Sequence, residues 1–254
     1  MKTLIDYTLH LADTTLILSQ RNSEWCGHGP VLEQDIAITN ISLDLLGQSR
    51  YFYQYAAVLT GGEATEDSLA YLRKEREFKN LLLVEQPNGD WALTILRQYL
   101  FSQFQYLLFE QLQQCSDSQL SAIAAKSIKE TAYHLRWSRE WVIRLGDGTA
   151  ESHTRMLNAM DELWRYTGEM FIPAQYETIV DVIKLKAAWE QKVNSVFSEA
   201  SLIPPSGFPG EAKGTNEVLG AMQTGGKEGI HTEHLGFILT ELQYMQRAYP
   251  DSKW

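Results

Sequence analysis

The chain has 254 residues, of which 44% are hydrophobic, so it can bury a substantial core as one domain. Its 32 acidic and 22 basic residues give a formal net charge of −10, which disfavours nucleic acid as a partner because phosphate binding requires basic side chains. The sequence contains no run of about 18 uncharged apolar residues, as a membrane span would require. Its two cysteines, Cys26 and Cys115, are too few for a disulfide framework. We therefore predict a cytoplasmic protein without a membrane segment.

The proline positions and the hydrophobic spacing predict an all-α protein. The seven prolines lie near breaks in the helical pattern and leave long uninterrupted segments between them. Apolar residues at steps of three and four form a stripe on each long segment. Such stripes predict a four-helix bundle with additional flanking helices. Helices are predicted at residues 3–20, 31–60, 66–79, 90–114, 118–146, 151–171, 179–200 and 231–248.

Two segments differ from this pattern of apolar stripes. Residues 201–229 are rich in proline and glycine, and we expect an irregular excursion there within a single domain that covers residues 1–254. This excursion is either an arm that contacts a partner or simply a loop. The run from Arg73 to Glu77 alternates in charge within a predicted helix, which is typical of a solvated face, and a docking surface is the alternative.

Helical bundles can hold two irons through two Glu-x-x-His motifs and one further carboxylate from each remaining helix. On the second predicted helix, Leu45 and Gln48 stand at the spacing of the Glu and the His. Leucine has no donor atom, and an amide is a poor iron ligand. On the fifth predicted helix Thr131 stands where a glutamate is needed, while His134 retains the histidine. These four positions therefore indicate a degenerate metal site.

The fourth predicted helix supplies no replacement carboxylate, because Glu110 lies near its end and off the apolar stripe. The polar side chains in its middle are Gln98, Ser102, Gln103 and Gln105. We therefore predict no metal site, no catalytic residue and no cofactor in this chain. As a hypothesis, the polar side chains of Asp44, Gln48, Glu130 and His134 form a cluster that replaces the irons.

Several segments carry a resemblance that covers nearly the whole chain. They are Ser19-Gln20-Arg21 with Glu24-Trp25-Cys26-Gly27-His28, the segment from Leu43 to Gln48, the segment from Asn80 to Gly89, Ile128-Lys129-Glu130 with Tyr133-His134-Leu135-Arg136, and Gly225-Gly226-Lys227 with the segment from His231 to Gly236. In these segments the chain resembles the C-subunit family of the bacterial ring-1,2-phenylacetyl-CoA epoxidases, multicomponent monooxygenases of phenylacetate degradation in the ferritin-like superfamily.

The resemblance implies a ferritin-like bundle that acts as a non-catalytic structural subunit in a hetero-oligomer. Its partner would be the A subunit, a related chain that bears the di-iron site and binds phenylacetyl-CoA. Electrons would come from NADPH through a separate reductase subunit with FAD and an iron–sulfur cluster. Compared with the motif of the A subunit, Leu45, Gln48 and Thr131 replace ligands and only His134 is retained.

Each of two C-terminal motifs allows two interpretations. His231 and His234, three residues apart at a helix start, could bind zinc if further ligands approached, or they could bond locally or to the partner while Thr232 caps the helix. Gly225-Gly226-Lys227 could hold an anion such as a CoA phosphate at a helix N-terminus, or it could be a flexible entry to the last helix. We therefore regard Lys227, His231 and His234 as candidate anion or partner contacts.

The main competing function is a free-standing, divergent di-iron oxygenase. Its ligands would have to lie at other carboxylates, such as Asp13, Asp35, Asp44 or Glu130. Iron storage is a third function, but it too needs a ferroxidase centre, and the missing carboxylates disfavour it.

Overall fold

The computed structural model describes residues 2–203, 222–250 and 252. This part of the chain is all-helical and contains no strand, which confirms the predicted all-α class and is consistent with a ferritin-like bundle. None of its helices is long and apolar enough to cross a membrane. The helices are α1 (Lys2–Ser23), α2 (Leu32–Thr60), α3 (Glu66–Tyr71), α4 (Leu82–Glu85), α5 (Trp91–Leu112), α6 (Ser118–Gly146), α7 (Ala150–Leu163), α8 (Val182–Glu199) and α9 (Glu233–Ala248).

Side-chain caps define several helix starts. The carboxylate of Asp90 accepts a hydrogen bond from the amide of Leu93 at the start of α5. Asp117 caps α6 in the same way, accepting from the amides of Gln119 and Leu120. Because such caps satisfy amides that lack a partner within the helix, they mark helix starts in the sequence as well.

The predicted helix at residues 66–79 is wrong in its second half. Helix α3 ends at Tyr71, and only a 3-10 turn at Glu75–Glu77 follows. The side chain of Arg73 is about one-tenth exposed because it turns inward to pair with Asp13. The interpretation of the charged run as a solvated face is therefore wrong for Arg73, since a charge pattern does not reveal an ion pair formed across 60 residues.

The described contacts divide the chain into two compact units. The first comprises Met1–Pro87, Ala174–Tyr176 and Gly225–Trp254. Within it, α1 and α2 pack along one another, and α9 packs on α1, α3 and α4. Residues 204–221 of the predicted excursion lie outside the described residues, whereas Gly226–Glu228 forms a 3-10 turn in the first unit.

The second unit comprises Asn88–Pro173 and Glu177–Thr224. Here α5 and α6 pack along one another, and α7 and α8 pack on both. Trp189 of α8 is fully buried, and its indole Nε1 donates a hydrogen bond to the carbonyl of Leu100 at 3.0 Å. The rings of Trp164 and Phe171 lie 6.1 and 5.4 Å from that of Trp189. Buried aromatic rings thus form the centre of this unit, while the prediction of one domain stays a prediction.

Candidate functional site

Leu45 and Gln48, two of the four degenerate ligand positions, lie on α2 in the first unit. Both side chains are fully buried, as are those of Ile38, Ile41 and Phe52 on the same stripe. The helical spacing therefore places the two residues inward, where Glu and His ligands would stand. Leu45 offers only carbon atoms at this point, so its position cannot contribute to a metal site.

Thr131 and His134 lie on α6 in the second unit and are also fully buried. The Thr131 hydroxyl donates to the carbonyl of Ser127 at 3.0 Å and lies 3.4 Å from the side-chain oxygen of Gln105. A bond to the carbonyl four residues earlier is a common way to satisfy a hydroxyl in a helix. Thr131 thus has a local structural role in place of the carboxylate that a di-iron site requires.

The glutamine and serine side chains in the middle of α5 are buried and carry no charge. Gln98 and Ser102 are fully buried, and the amide of Gln98 donates to the Ser102 hydroxyl at 2.8 Å. Glu110 is only half-buried. Among the described residues, no group of three or more His, Cys, Asp or Glu side chains could hold a metal ion. The donor set at the predicted positions does not fit two irons, which need several anionic oxygens to balance their charge.

The members of the hypothesised polar cluster lie in different units. Gln48 is buried and Asp44 half-buried on α2, whereas His134 is buried and Glu130 half-buried on α6. Their association therefore stays a prediction.

Asp13, proposed as a ligand under the alternative function, is fully buried on α1 and forms an ion pair with Arg73. It also accepts hydrogen bonds from the hydroxyl of Tyr53 at 2.5 Å and from the amide of Lys79 at 2.8 Å. Burial, and then the charge of Asp13, raise the pKa of Tyr53 well above its ordinary value, so its hydroxyl remains a donor. The carboxylate of Asp13 is thus engaged by three donors of its own unit.

Asp35 is likewise engaged locally, at the start of α2. Its carboxylate accepts hydrogen bonds from the amides of Gly29 and Gly27 at 2.9 and 3.2 Å. These two bonds lower the pKa of Asp35 below its ordinary value. The geometry fits a carboxylate that orders the turn before α2.

Sequence reasoning missed a buried cluster around Glu85, whose side chain is fully buried. One of its oxygens accepts from the amide and the hydroxyl of Thr232, both at 2.7 Å. The other oxygen lies 2.9 Å from His231 Nδ1 and accepts a hydrogen bond from the side-chain amide of Asn80 at 2.8 Å. A lone carboxylate after the apolar run from Leu81 to Val84 was the available signal, because a buried charge needs partners.

Both ring nitrogens of His231 have hydrogen-bond partners within this cluster. Its Nε2 lies 3.0 Å from the carbonyl of Phe78, and its Nδ1 faces the Glu85 carboxylate. Burial lowers the pKa of His231, but the hydrogen bond and charge of Glu85 outweigh burial and raise it above 6.5 overall. Both ring nitrogens face acceptors inside the first unit, which fits local bonding rather than a zinc ligand or an external contact.

Lys227, a further candidate contact, is almost completely buried. Its carbonyl accepts from the hydroxyl of Tyr176 at 2.8 Å. A Cβ at the neighbouring Gly226 would lie 2.3 Å from the carbonyl oxygen of Asn80, so this glycine permits a close approach of two backbones. The interpretation of this segment as a flexible entry does not fit such packing. His234 is half-buried at the start of α9.

Comparisons with known proteins agree with the resemblance drawn from the sequence. A model of the family described as phenylacetic acid catabolic protein matches residues 1–254. The chain is also 50% identical over 261 residues to the C subunit of the 1,2-phenylacetyl-CoA epoxidase of Escherichia coli (strain K12), with 100% of each chain covered. The chain therefore belongs to the phenylacetic acid catabolic protein family.

Proposed function

We propose that this chain is a non-catalytic structural subunit that binds and stabilises the di-iron catalytic subunit of a phenylacetyl-CoA 1,2-epoxidase in aerobic phenylacetate degradation. The observation that carries the proposal is the chemistry of the four buried positions Leu45, Gln48, Thr131 and His134. Only the histidine is a good iron ligand, whereas a di-iron site in a bundle needs carboxylates from all four helices. The likeness to an epoxidase C subunit supports the same conclusion.

The proposal assigns the cofactors to other subunits of a cytoplasmic complex. The di-iron centre and most contacts with phenylacetyl-CoA belong to the catalytic subunit, while NADPH, FAD and an iron–sulfur cluster belong to a reductase. This chain contributes a rigid helical surface that holds the helices of the catalytic subunit in position. Its buried carboxylates Asp13 and Glu85 support that role, because each is hydrogen-bonded or ion-paired by side chains within the chain.

The test measures iron per polypeptide and epoxidation rate for the lone chain, the lone catalytic subunit and the joint complex. We expect no stoichiometric iron in the lone chain and about two irons per pair in the complex, as in one bundle-type site. Reconstitution of the complex with His134→Gln should leave the iron content unchanged. About two irons bound to the lone chain, or epoxidation without a partner, would support the free-standing oxygenase instead.

The polar-cluster hypothesis has a separate test in the lone chain. If His134 is part of a satisfied buried cluster, His134→Leu should lower the free energy of unfolding by about 1–3 kcal/mol, because the partners of the imidazole lose a hydrogen bond. The exposed His28 provides the matched control, and His28→Leu should change stability by less than about 0.5 kcal/mol. Equal unfolding curves for both variants would exclude the cluster.

A further inference from the structure

Helix α2 is apolar on two opposite faces. Its inward face carries the buried residues Ile38, Ile41 and Leu45. Its outward face carries Leu32, Ile36, Leu43 and Leu46, which are 71%, 51%, 60% and 39% exposed. At 100° per residue these four side chains lie within an arc of about 80°, so they share one face of the helix, with the half-buried Thr39 between Ile36 and Leu43. We call them the α2 outer stripe.

A surface helix normally places polar residues on the face away from the core, and a helix that is apolar all round is normally buried. Single exposed apolar residues need no explanation, but four on the same face of one helix do. The borders of the stripe are polar. Asn40 is exposed beside it, and Arg50 at its far end pairs with Glu66 at 2.8 Å. An apolar strip with polar borders is the usual composition of a protein interface.

Gly47 gives a second, independent indication at the same place. It lies in the middle of α2, one turn after Leu43, where glycine destabilises a helix relative to alanine. A Cβ added at Gly47 would meet no atom of this chain within 4 Å. Packing within the described part of the chain therefore does not require a glycine at this position. A glycine on an exposed helix face does permit the close approach of another backbone.

The size of the stripe fits the apolar centre of a larger interface. From Leu32 to Gly47 the helix extends about 23 Å, and with a width of about 10 Å this gives roughly 230 Å². One partner contributes about 800 Å² to an interface of standard size. The stripe would supply about a quarter of that area, and surrounding polar residues would supply the rim.

The charge of the chain favours a different protein as the occupant. A second copy would bring two chains of formal net charge −10 together, and such like charges repel. The relative that is 50% identical over its full length is itself named as one subunit of an enzyme. A subunit of different sequence need not carry the same net charge, so this repulsion is not inherent in its docking.

We infer that the α2 outer stripe, with Gly47, is the surface on which a helix of the catalytic subunit docks. This inference rests on the proposed function and adds the location of the contact. The partner helix packs apolar side chains against Leu43 and Leu46 and brings its backbone close to Gly47.

The test compares three variants of the full chain. Leu43→Arg places a charge in the stripe, and Gly47→Leu fills the space above the helix. Ile183→Arg is the matched control, because Ile183 on α8 is 58% exposed and lies in the other compact unit. For each protein we would measure the affinity for the purified catalytic subunit, the melting temperature of the lone chain, and its mass in solution.

We expect Leu43→Arg to weaken binding at least 30-fold, as is typical for a residue at the centre of an interface, without changing the melting temperature. Gly47→Leu should weaken binding at least about 10-fold and raise the melting temperature by about 1–3 °C, because leucine is the better helix former. Weaker binding together with a higher melting temperature for Gly47→Leu would distinguish a docking role from a structural role, since loss of a structural role would lower the melting temperature. Ile183→Arg should bind like the unmodified chain.

Each other outcome overturns the inference in a different way. If the unmodified chain binds the catalytic subunit and both stripe variants bind equally well, the docking surface is elsewhere and the proposed function stands. If the unmodified chain does not bind it at all, the proposed function fails as well. Self-association that Leu43→Arg abolishes would identify a second copy as the occupant. A lower melting temperature for Leu43→Arg would show that the stripe stabilises the chain itself and would overturn the docking role.

Discussion

Two buried regions of this protein, one in each compact unit, are stabilised differently. In the first unit the carboxylates of Asp13 and Glu85 are fully buried and are paired with Arg73 and His231. In the second unit, the rings of Trp164 and Phe171 pack around the buried ring of Trp189, although Arg97 and Glu169 are buried elsewhere in that unit. The first arrangement depends on pairing charges that are costly to bury alone, whereas the second depends on area and close packing. The two interiors should therefore respond differently to small chemical changes.

The largest effect is expected from removing one charge in the first unit. Asp13→Asn should lower the free energy of unfolding by about 3–5 kcal/mol, because Arg73 stays buried without its counter-charge. Asp6→Asn is the matched control, since Asp6 forms a partly exposed ion pair with Lys79 at 3.8 Å and should lose less than about 1 kcal/mol. Chemical denaturation of both variants measures the difference. Equal losses would mean that burial of the pair has no special importance.

A smaller effect is expected from a substitution that keeps an aromatic ring in the second unit. Trp189→Phe should cost about 2 kcal/mol, because it removes the hydrogen bond to the carbonyl of Leu100 and part of the buried area. Trp141→Phe, at a half-buried position on α6, should cost less than about 0.5 kcal/mol. Thermal and denaturant unfolding provide the measurement. A loss at Trp189 as large as that of Asp13→Asn would remove the contrast between the two interiors.

The smallest expected effect is a pH dependence confined to the first unit. Because the pKa of His231 is raised in the folded protein, its stabilising contribution is complete below the unfolded value near 6.5. That contribution is lost as the pH rises through the folded pKa. The stability difference between the unmodified chain and His231→Gln should therefore shrink between pH 6 and pH 9. His28→Gln, at an exposed position, is the control, and a difference for His231→Gln that stays constant over this range would contradict the prediction.

Local patterns predicted much of the fold because they act over a few residues. The helix predicted at residues 118–146 coincides with α6, where Asp117 caps the start and apolar spacing continues to the end. The inward positions of Leu45 and Thr131 followed from the same spacing and are buried in the structure. Patterns failed where contacts are long-range. The sequence shows that Arg73 and Glu85 are charged, but it does not show their partners, which lie 60 and 146 residues away.

The α2 outer stripe shows that the sequence also does not reveal which apolar residues remain exposed. Its leucines and isoleucine are visible in the sequence, but an apolar residue on a helix is usually part of a core. Helical spacing places Leu45 on the inward face, but only the structure shows that no other described segment covers Leu43, which is exposed two positions earlier.

The sequence by itself determined the helical class, most helix boundaries, the family resemblance and the absence of iron-binding chemistry at Leu45 and Thr131. These depend on residue identity and on spacing within one helix. Only the tertiary structure decided that Asp13 and Glu85 find partners inside the first unit, that Lys227 is buried, and that α2 keeps an apolar face exposed. The physical reason is that burial and ion pairing depend on which distant segments the folded chain brings together.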